Sequence, residues 1–373
     1  MDITAYLKLM TERNASDLFF STGAPVNIKI EGITSPLGDK PLPFGMVKNL
    51  AYNMISEHHK KIFEESLELN LAVSVTDIGR FRVNIYRQRG DVAMVIRYIK
   101  SQIPSIDELH LPAILKRLVM EPRGLILIVG ATGAGKSTTL AAMIDYRNSN
   151  STGHILTIEE PIEFLHRHKK SIVDQREVGI DTLSYSNALK NAMREAPDVI
   201  LIGEIRDRET MQQAIAYAET GHLCLSTLHA DNANQTIERI INFFPDAAQH
   251  QLLVDLSLNL RAVISQRLVY GIDGKRLPAA DIMLKSPYIS ELIEKGDIDT
   301  IKEAMEKSSD IGMQTFDQSL FELYHAGKIS VDEALANADS RNNLLLKIRL
   351  SEGVKDSNAG GVLSIDQETF GSK

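Results

Sequence analysis

A run of five apolar residues, Leu125–Val129, leads directly into the segment Gly130–Ser137, which reads G-A-T-G-A-G-K-S. That segment matches the pattern G-x-x-x-x-G-K-[ST], and the residues from Lys136 to about Arg147 are predicted to form a helix. Backbone N–H groups in such a strand, loop and helix, together with the positive end of the helix dipole, form a concave site for phosphate oxygens. The feature predicts an α/β fold built around a loop that binds a nucleoside triphosphate.

The loop offers a separate role to each type of side chain. Lys136 would extend to the β- and γ-phosphates, the hydroxyl of Ser137 would hold Mg²⁺, and Thr138 would contact the α-phosphate. A glycine-rich turn that binds nothing is the alternative, but such a turn has no use for a lysine beside a hydroxyl. The candidate nucleotide-binding residues are Gly130, Ala131, Thr132, Gly133, Ala134, Gly135, Lys136, Ser137 and Thr138.

Composition narrows the class of protein. The 373 residues are enough for two domains, and the formal net charge of −8 argues against general nucleic-acid binding, which depends on clustered Lys and Arg. Cys224 is the single cysteine, so no intramolecular disulfide can form, as is typical of a reducing compartment. The sequence shows no signal-peptide pattern at its start and no run of about 20 apolar residues. A soluble cytoplasmic protein is therefore expected.

Residues 1–100 are predicted to form a small α+β domain. Apolar residues at helical spacing indicate a helix over residues 3–13, and a second helix is expected near residues 46–65, after a loop rich in Pro and Gly at residues 35–45. Apolar and polar residues alternate in four stretches that indicate strands, namely Val26–Ile30, Leu71–Val75, Phe81–Ile85 and Val92–Tyr98.

The rest of the chain is predicted to be a nucleotide-binding domain. Residues 101–112 contain prolines and are expected to be a linker. Over residues 113–351, strands alternate with helices and then, beyond about residue 286, give way to helices alone. Such alternation is typical of a mostly parallel sheet covered by helices. The polar segment 352–373 is predicted to be a disordered tail.

Three further segments place acids or histidines beside predicted strands, namely T-I-E-E-P-I-E at Thr157–Glu163, P-D-V-I-L-I-G-E at Pro197–Glu204 and G-H-L-C-L-S-T-L-H-A at Gly221–Ala230. Ligands of open α/β sheets bind beyond the carboxyl ends of the strands, so acids that end neighbouring strands would converge on the γ-phosphate and its metal. Glu163 and Glu204 are the candidate catalytic carboxylates. One would polarise the attacking water, and another would hold Mg²⁺ directly or through water.

The other candidate site residues in these segments could alternatively have no role at the nucleotide. Glu159 and Glu160 fit a role at the nucleotide or an ordinary position in a loop or in solvent. His229 follows a predicted strand, where a neutral imidazole would hydrogen-bond the γ-phosphate or its water, and His222 precedes the same strand. Either histidine is alternatively a structural residue. For Glu204, burial after an apolar strand would be costly without a metal or a cationic partner.

Four segments resemble the Walker A, aspartate box, Walker B and histidine box of secretion-superfamily ATPases in sequence, order and spacing. They read G-A-T-G-A-G-K-S, T-I-E-E-P-I-E, A-P-D-V-I-L-I-G-E-I-R-D and A-E-T-G-H-L-C-L-S-T-L-H-A. The similarity to type IV pilus retraction ATPases of the PilT/PilU family extends over nearly the whole chain, and it includes Q-R-E-V-G at Gln175–Gly179. Y-I-S-E-L-I-E-K at Tyr288–Lys295, which lacks two arginines usual in PilT-type motors, is more similar to the PilU branch.

The resemblance implies a PAS-like N-terminal domain, a RecA-like P-loop ATPase domain with C-terminal helices, and a homohexamer that binds ATP and Mg²⁺ between the domains. It also implies that arginines of the N-terminal domain contact the nucleotide, with Arg82 and Arg97 as candidates and Arg80 and Arg87 as further ones. Glu160 and His222 join the nucleotide-binding set, and Ser137 and Glu204 the Mg²⁺ set. Weaker candidates are Arg194, Arg206 and Arg239.

The implied function is a motor that powers or assists pilus retraction together with a PilT-type ATPase. Its implied partners include an inner-membrane platform protein, beside which it would lie on the cytoplasmic side. The alternatives are a nucleotide-dependent scaffold with little hydrolysis, a pilus assembly or secretion ATPase, and a nucleic-acid translocase. The single cysteine excludes the tetracysteine zinc site usual in assembly ATPases, and the basic segment His166–Lys170 is a small footprint for nucleic acid.

Overall fold

The computed structural model of the protein describes residues 3–30, 32–100 and 102–357. The strands are β1 Asp17–Phe20, β2 Asn27–Ile30, β3 Ile33–Pro36, β4 Glu68–Val75, β5 Gly79–Gln88, β6 Asp91–Ile99, β7 Gly124–Val129, β8 Gly153–Glu159, β9 Ser171–Glu177, β10 Val199–Ile202, β11 Leu223–Leu228, β12 Leu260–Tyr270 and β13 Arg276–Leu284. The α-helices are α1 Ile3–Glu12, α2 Met46–Met54, α3 Glu57–Ser66, α4 Ile114–Leu118, α5 Lys136–Asn150, α6 Tyr185–Ala192, α7 Arg208–Glu219, α8 Ala233–Asn242, α9 Asp246–Asn259, α10 Pro287–Lys295, α11 Ile301–Glu306, α12 Phe316–His325, α13 Val331–Asn337 and α14 Arg341–Ser357. Short 3₁₀ turns lie at Met193–Glu195 and Ser309–Ile311. None of these described helices combines the length and the apolar character that a membrane crossing requires.

The N-terminal strands form one antiparallel sheet with the order β3-β2-β1-β6-β5-β4. Strand β5 shows why the sheet has one apolar face, since Phe81, Val83 and Ile85 are fully buried while the residues between them are only partly so. Side chains alternate across a strand, so Arg80 and Arg82 lie on the opposite face. The apolar face packs with α1, α2 and α3 in one continuous hydrophobic cluster, as expected of a small α+β domain.

Two details of this domain differ from the sequence prediction. The single helix expected near residues 46–65 is two helices, because Ser56 has an extended backbone and its side chain accepts a hydrogen bond from the amide of His59 (3.3 Å), which starts a new helix. The loop predicted at residues 35–45 begins two residues late, because Ile33–Pro36 pairs with β2 as an edge strand. Its side chains are all exposed, so no apolar alternation marked it.

The described chain divides into two compact units that do not follow the predicted boundaries. One comprises residues up to Glu108 with Leu115–Leu125 and Ser137–Thr227, and the other comprises Leu109–Ile114, Ile126–Lys136 and the residues from Leu228 onward. Within the first unit, the amide of Leu165 donates to the carbonyl of Lys100 (3.0 Å), so the end of the N-terminal sheet joins the segment after β8. The division into a domain at 1–100, a linker at 101–112 and an ATPase domain at 113–351 stays a prediction.

Parallel strands of the first unit bring several acids to one edge. Strands β11, β10, β8 and β9 lie in that order, and each neighbouring pair is parallel. Every residue of β10 is buried, which agrees with its uninterrupted apolar sequence. Glu159 at the end of β8 is paired in register with Glu177 at the end of β9, and Glu204 follows the end of β10. The carboxyl edge of these strands is therefore strongly acidic.

The second unit contains the antiparallel pair β12–β13 and helices from α8 onward. A cluster around Phe316, Leu320 and Leu344 packs α12, α13 and α14 with these strands, which agrees with the prediction of C-terminal helices. No strand was predicted from the sequence for the residues of β12 and β13. Helix α14 continues to Ser357, six residues into the segment 352–373 for which disorder is predicted; residues 358–373 lie outside the described residues.

Candidate active site

The predicted phosphate loop follows a strand that is buried at every position, β7. Gly130 has φ +146°, and a Cβ there would lie 2.5 Å from the carbonyl oxygen of Gln266. Gly135 has φ +89°, and a Cβ there would lie 3.0 Å from the side-chain nitrogen of Gln266. Both positions therefore favour glycine for their backbone conformation, and at Gly130 the nearby backbone oxygen also leaves no space for a Cβ. Gln266, a buried residue of β12, packs against the loop at Gly130 and Gly135.

The rest of the loop suits a polyphosphate. Ala131, Thr132 and Gly133 are exposed, whereas Ala134 is buried and anchors the turn. Lys136 begins α5, and its Nζ donates to the carbonyl oxygens of Gly130 (2.8 Å) and Ala131 (3.0 Å), so the ammonium lies across the mouth of the loop.

Ser137 is exposed and Thr138 is half-buried in the first turn of α5. A helix N-terminus with an adjacent lysine and an exposed hydroxyl is the donor set that Mg²⁺-bound nucleotide phosphates require.

Arg206 joins two acids at the carboxyl edge. Its Nε donates to Glu204 Oε2 (2.7 Å) and its Nη1 donates to Glu160 Oε2 (3.0 Å). Glu204 is mostly buried, with 20% of its side chain exposed, so the guanidinium offsets the cost of desolvating this carboxylate. The structure therefore brings together two of the predicted site acids, Glu160 and Glu204, through an arginine that the sequence marked only as a weaker candidate.

Gly203 sets the position of Glu204. A Cβ on Gly203 would lie 2.9 Å from Tyr185 Oη and 3.2 Å from Glu159 Cα, so only glycine fits without displacement. Its amide donates to the carbonyl of Ile158 (2.8 Å), and its carbonyl accepts from Thr227 Oγ1 (2.6 Å). The chain after β10 is thus fixed between β8 and β11, and Glu204 projects from a rigid point.

Glu159 is the most electrostatically perturbed acid of this edge. Burial raises its pKa from 4.5 to about 7, and the negative charges of Glu163 and Glu177 add to the rise. Hydrogen bonds from Thr157 Oγ1 (2.6 Å) and Gln175 Nε2 (3.2 Å) oppose it. The carboxyl group of Glu159 is therefore held within the protein rather than in solvent, while a role for it at the nucleotide stays a prediction.

Glu159→Gln should change how stability depends on pH. The folded protein favours the protonated acid while the unfolded chain ionises it near 4.5, so ionisation costs stability as the pH rises from 4.5 to about 7. We expect the free energy of unfolding of the wild-type protein to fall over that range relative to the variant, which lacks the ionisation. Urea unfolding of both proteins at about pH 5 and about pH 8 measures this difference; equal pH dependence would contradict it.

The remaining catalytic candidates lie at the ends of strands or in the loops that follow. Glu163 is exposed in the loop after β8, and its charge acts on Glu159. His229 is half-buried directly after β11.

His222 directly precedes β11, so the six residues of the strand separate it from His229 by roughly 20 Å. Its ring lies beside the ring of Tyr217, and its Nδ1 lies 3.1 Å from Thr220 Oγ1. His222 therefore lies at the amino end of the strand and His229 beyond its carboxyl end, and a role for either histidine at the nucleotide stays a prediction.

The arginines of the N-terminal sheet have acidic partners. Arg82 and Arg97 are directly opposite each other on β5 and β6, so both guanidinium groups project from the same face. Arg97 Nε donates to Asp17 Oδ1 (2.8 Å) within that face. Arg82 Nη1 lies 3.9 Å from Glu177 Oε1 at the end of β9. The structure thus places Arg82, and not Arg97, at the acidic carboxyl edge.

The other predicted arginines are less closely associated with this edge. Arg80 lies on the same face as Arg82, and Arg87 instead pairs with Glu64 (2.6 Å) at the far end of β5. Arg194 donates to Asn191 Oδ1 (3.3 Å) in an exposed turn, and Arg239 is exposed on α8.

Three residues that contact the candidate site were not singled out from the sequence. Glu177 and Gln175 lie in the Q-R-E-V-G segment, and Gln175 donates to Glu159 Oε1 and to the carbonyl of Phe164 (2.9 Å). Gln266 lies in the segment Ser257–Val269. The Q-R-E-V-G segment was noted for its resemblance, which is the one signal that could have found Glu177 and Gln175; no local pattern assigns a role to any of the three residues.

The basic segment His166–Lys170 is not a continuous cationic surface. Burial lowers the pKa of His166 to about 4, so this ring is neutral near pH 7. Lys169 Nζ donates to Asp145 Oδ2 (2.7 Å). Of the five residues, His166 is therefore uncharged and the charge of Lys169 is paired with Asp145.

Comparison with known proteins gives consistent similarities. The model of the family described as Type II/IV secretion system protein matches residues 2–344. The chain is 50% identical over 368 residues to the type IV pilus ATPase PilU of Pseudomonas aeruginosa, covering 98% of this chain and 96% of that relative. It is 42% identical over 343 residues to the type IV pilus retraction ATPase PilT of the same organism, covering 92% and 100%. A crystal structure of the pilus retraction motor PilT with bound ADP is similar with a TM-score of 0.86 and 40% identity, covering 92% of this chain and 98% of that one.

Proposed function

Because the chain belongs to the Type II/IV secretion system protein family, and within it to the PilT/PilU type IV pilus ATPases, we propose that it is an ATPase that powers or assists pilus retraction. The observation that carries the proposal is the phosphate loop, in which Lys136 and the hydroxyl of Ser137 follow glycines that have positive φ angles. In this proposal the chain works as a homohexamer, together with a PilT-type motor and an inner-membrane platform protein, on the cytoplasmic side.

Each candidate residue receives a role in that reaction. The loop from Gly130 to Thr138 holds the phosphates of ATP, and Lys136 neutralises charge on the transferred phosphoryl group. Glu204 polarises or orients the attacking water, with Glu163 as the second candidate for that task. His229 contacts the γ-phosphate or its water. Glu160 belongs to the same site through Arg206.

Mg²⁺ would be held by the Ser137 hydroxyl and, through water, by Glu204, and would neutralise charge on the phosphate oxygens. One hydroxyl and one carboxylate are too few ligands for a site made by protein alone, but they suit an ion carried by nucleotide phosphates.

Conversion of hydrolysis into movement requires that ATP bind one arrangement of the N-terminal domain better than another. Arginines of that domain provide such a contact, because a guanidinium binds phosphate oxygens in a fork. Arg82 is the favoured residue, since it already lies at the acidic carboxyl edge, with Arg97 beside it.

A nucleotide-dependent scaffold is the second candidate function, and α10 favours it. Where PilT-type motors usually carry arginines, this helix has Ser290 and Glu294, and its exposed face also carries the paired side chains of Glu291 and Lys295. Because this face of α10 carries Ser290 and Glu294 in place of those arginines, it would bind a different protein surface from the one that a PilT-type motor binds. The chain would then depend on a partner motor.

The two functions are separated by the ATP turnover rate of the purified chain alone and mixed with a PilT-type motor. We expect turnover by the chain alone, which the scaffold function does not predict. A mixture made with the Lys136→Ala chain is the control, because only the partner hydrolyses ATP there. Turnover that rises only in the mixture, and equally with the Lys136→Ala chain, would contradict the motor and support the scaffold.

A further inference from the structure

Glu177 is a buried acid that the proposed reaction does not use. Its side chain is 1% exposed, and within the described residues neither carboxylate oxygen accepts a hydrogen bond of normal geometry. Burial raises its pKa, while Arg82, the amide of Ile162 and Arg80 oppose the rise. A buried carboxylate without a well-formed hydrogen bond is costly, so its presence calls for an explanation beyond packing.

The backbone holds this carboxylate in one place. The amide of Glu177 donates to Asp181 Oδ2 (2.8 Å), and its carbonyl accepts from the amides of Ile180 (3.2 Å) and Asp181 (2.8 Å). The turn after β9 is therefore closed by hydrogen bonds to the backbone of Glu177. Glu177 is a fixed negative group at the carboxyl edge, beside Glu159 in the strand register.

The cations that face Glu177 are held less tightly than the acid. Arg82 Nη1 lies 3.9 Å from Glu177 Oε1, which is an ionic contact without a hydrogen bond. Arg80 projects from the same face of β5, and its buried Nε has no hydrogen-bond partner among the described residues. By contrast, Arg97 on the same face is hydrogen-bonded to Asp17. Of these three arginines, Arg82 is the one that lies against the carboxyl edge yet lacks a firm bond to it.

Carboxylate and phosphate oxygens are alternative partners for one guanidinium, because both accept the same forked pair of N–H donors. We propose that Glu177 is a positioning residue that competes with the phosphates of the bound nucleotide for the Arg82 guanidinium. The proposal rests on the proposed function, in which Arg82 binds those phosphates. Pairing with Glu177 favours the nucleotide-free arrangement, so the acid weakens nucleotide binding and promotes release.

The test is a double-mutant cycle read by titration of a fluorescent ADP analogue in the presence of Mg²⁺. Glu177→Gln keeps the side-chain shape and removes the charge that competes for the guanidinium. We expect it to lower the Kd by about fivefold or more in the wild-type background. In an Arg82→Gln background the same change should leave the Kd unaltered, because the shared partner is missing. A residue that served folding alone would not show this dependence on Arg82.

Two further variants sharpen the result. Glu195→Gln removes an acid paired with a different arginine, Arg176 (2.6 Å), and should leave the Kd unchanged. Glu177→Ala removes the carboxylate without adding an amide and should reproduce the coupling of Glu177→Gln. Thermal unfolding establishes that each variant is folded.

The proposal is overturned if Glu177→Gln leaves the Kd unchanged, or if it changes the Kd equally with and without Arg82. It is also overturned if neither Glu177 variant folds, since the acid would then be purely structural. Failure of the proposed function has a different signature, because Lys136→Ala would then bind the analogue as tightly as the wild type does.

Discussion

Replacing Lys136 with alanine should lower ATP turnover by about 10²- to 10³-fold, the scale seen when one preorganised donor to a reacting oxyanion is removed. The ammonium lies across the mouth of the phosphate loop, 2.8 Å from the carbonyl oxygen of Gly130, and in the proposed reaction it stabilises charge on the γ-phosphate. Phosphate release at saturating ATP measures the effect on turnover, and titration with a nucleotide analogue measures the effect on affinity.

Lys170→Ala is the matched control for Lys136→Ala. Lys170 is exposed in the basic segment after β8, so its loss removes the same charge without touching the loop. We expect wild-type turnover from the control. Turnover by Lys136→Ala equal to that of the control would show that the loop does not bind the phosphates.

Glu204→Gln should slow the chemical step by about 10²- to 10⁴-fold and leave nucleotide affinity nearly unchanged. The amide is similar in shape but cannot accept a proton from the attacking water, and Gly203 holds the residue at the same point after β10. A single-turnover measurement isolates this step from product release.

Glu163→Gln is the comparison that assigns the water-polarising role. Glu163 is exposed, whereas Glu204 is mostly buried and paired with Arg206 (2.7 Å), so we expect the smaller effect from Glu163→Gln. A larger effect from Glu163→Gln would exchange the two roles. A wild-type single-turnover rate in Glu204→Gln would contradict its assignment as a catalytic carboxylate.

The parts of this protein that depend on local chain geometry were predictable from the sequence. The phosphate loop is one, since its glycines, lysine and hydroxyl lie within Gly130–Ser137 and follow a wholly apolar strand. The acid after β10 is another, because four apolar residues followed by glycine and glutamate indicate a strand end. The α/β class followed from the alternation of strands and helices.

The parts that depend on contacts distant in sequence were not predictable. Gln266 lies more than 100 residues after Gly130, yet its backbone carbonyl leaves no space for a Cβ at that loop position. The pairing of Arg82 with Glu177 joins strands of different sheets, and no spacing rule connects them.

Phosphate release from Mg²⁺-ATP by the purified chain, measured beside the Lys136→Ala and Glu204→Gln variants at equal concentration, tests the central claim most directly. We expect sustained release by the wild-type chain and release near background by both variants. Release by the wild-type chain no faster than by Lys136→Ala would contradict it.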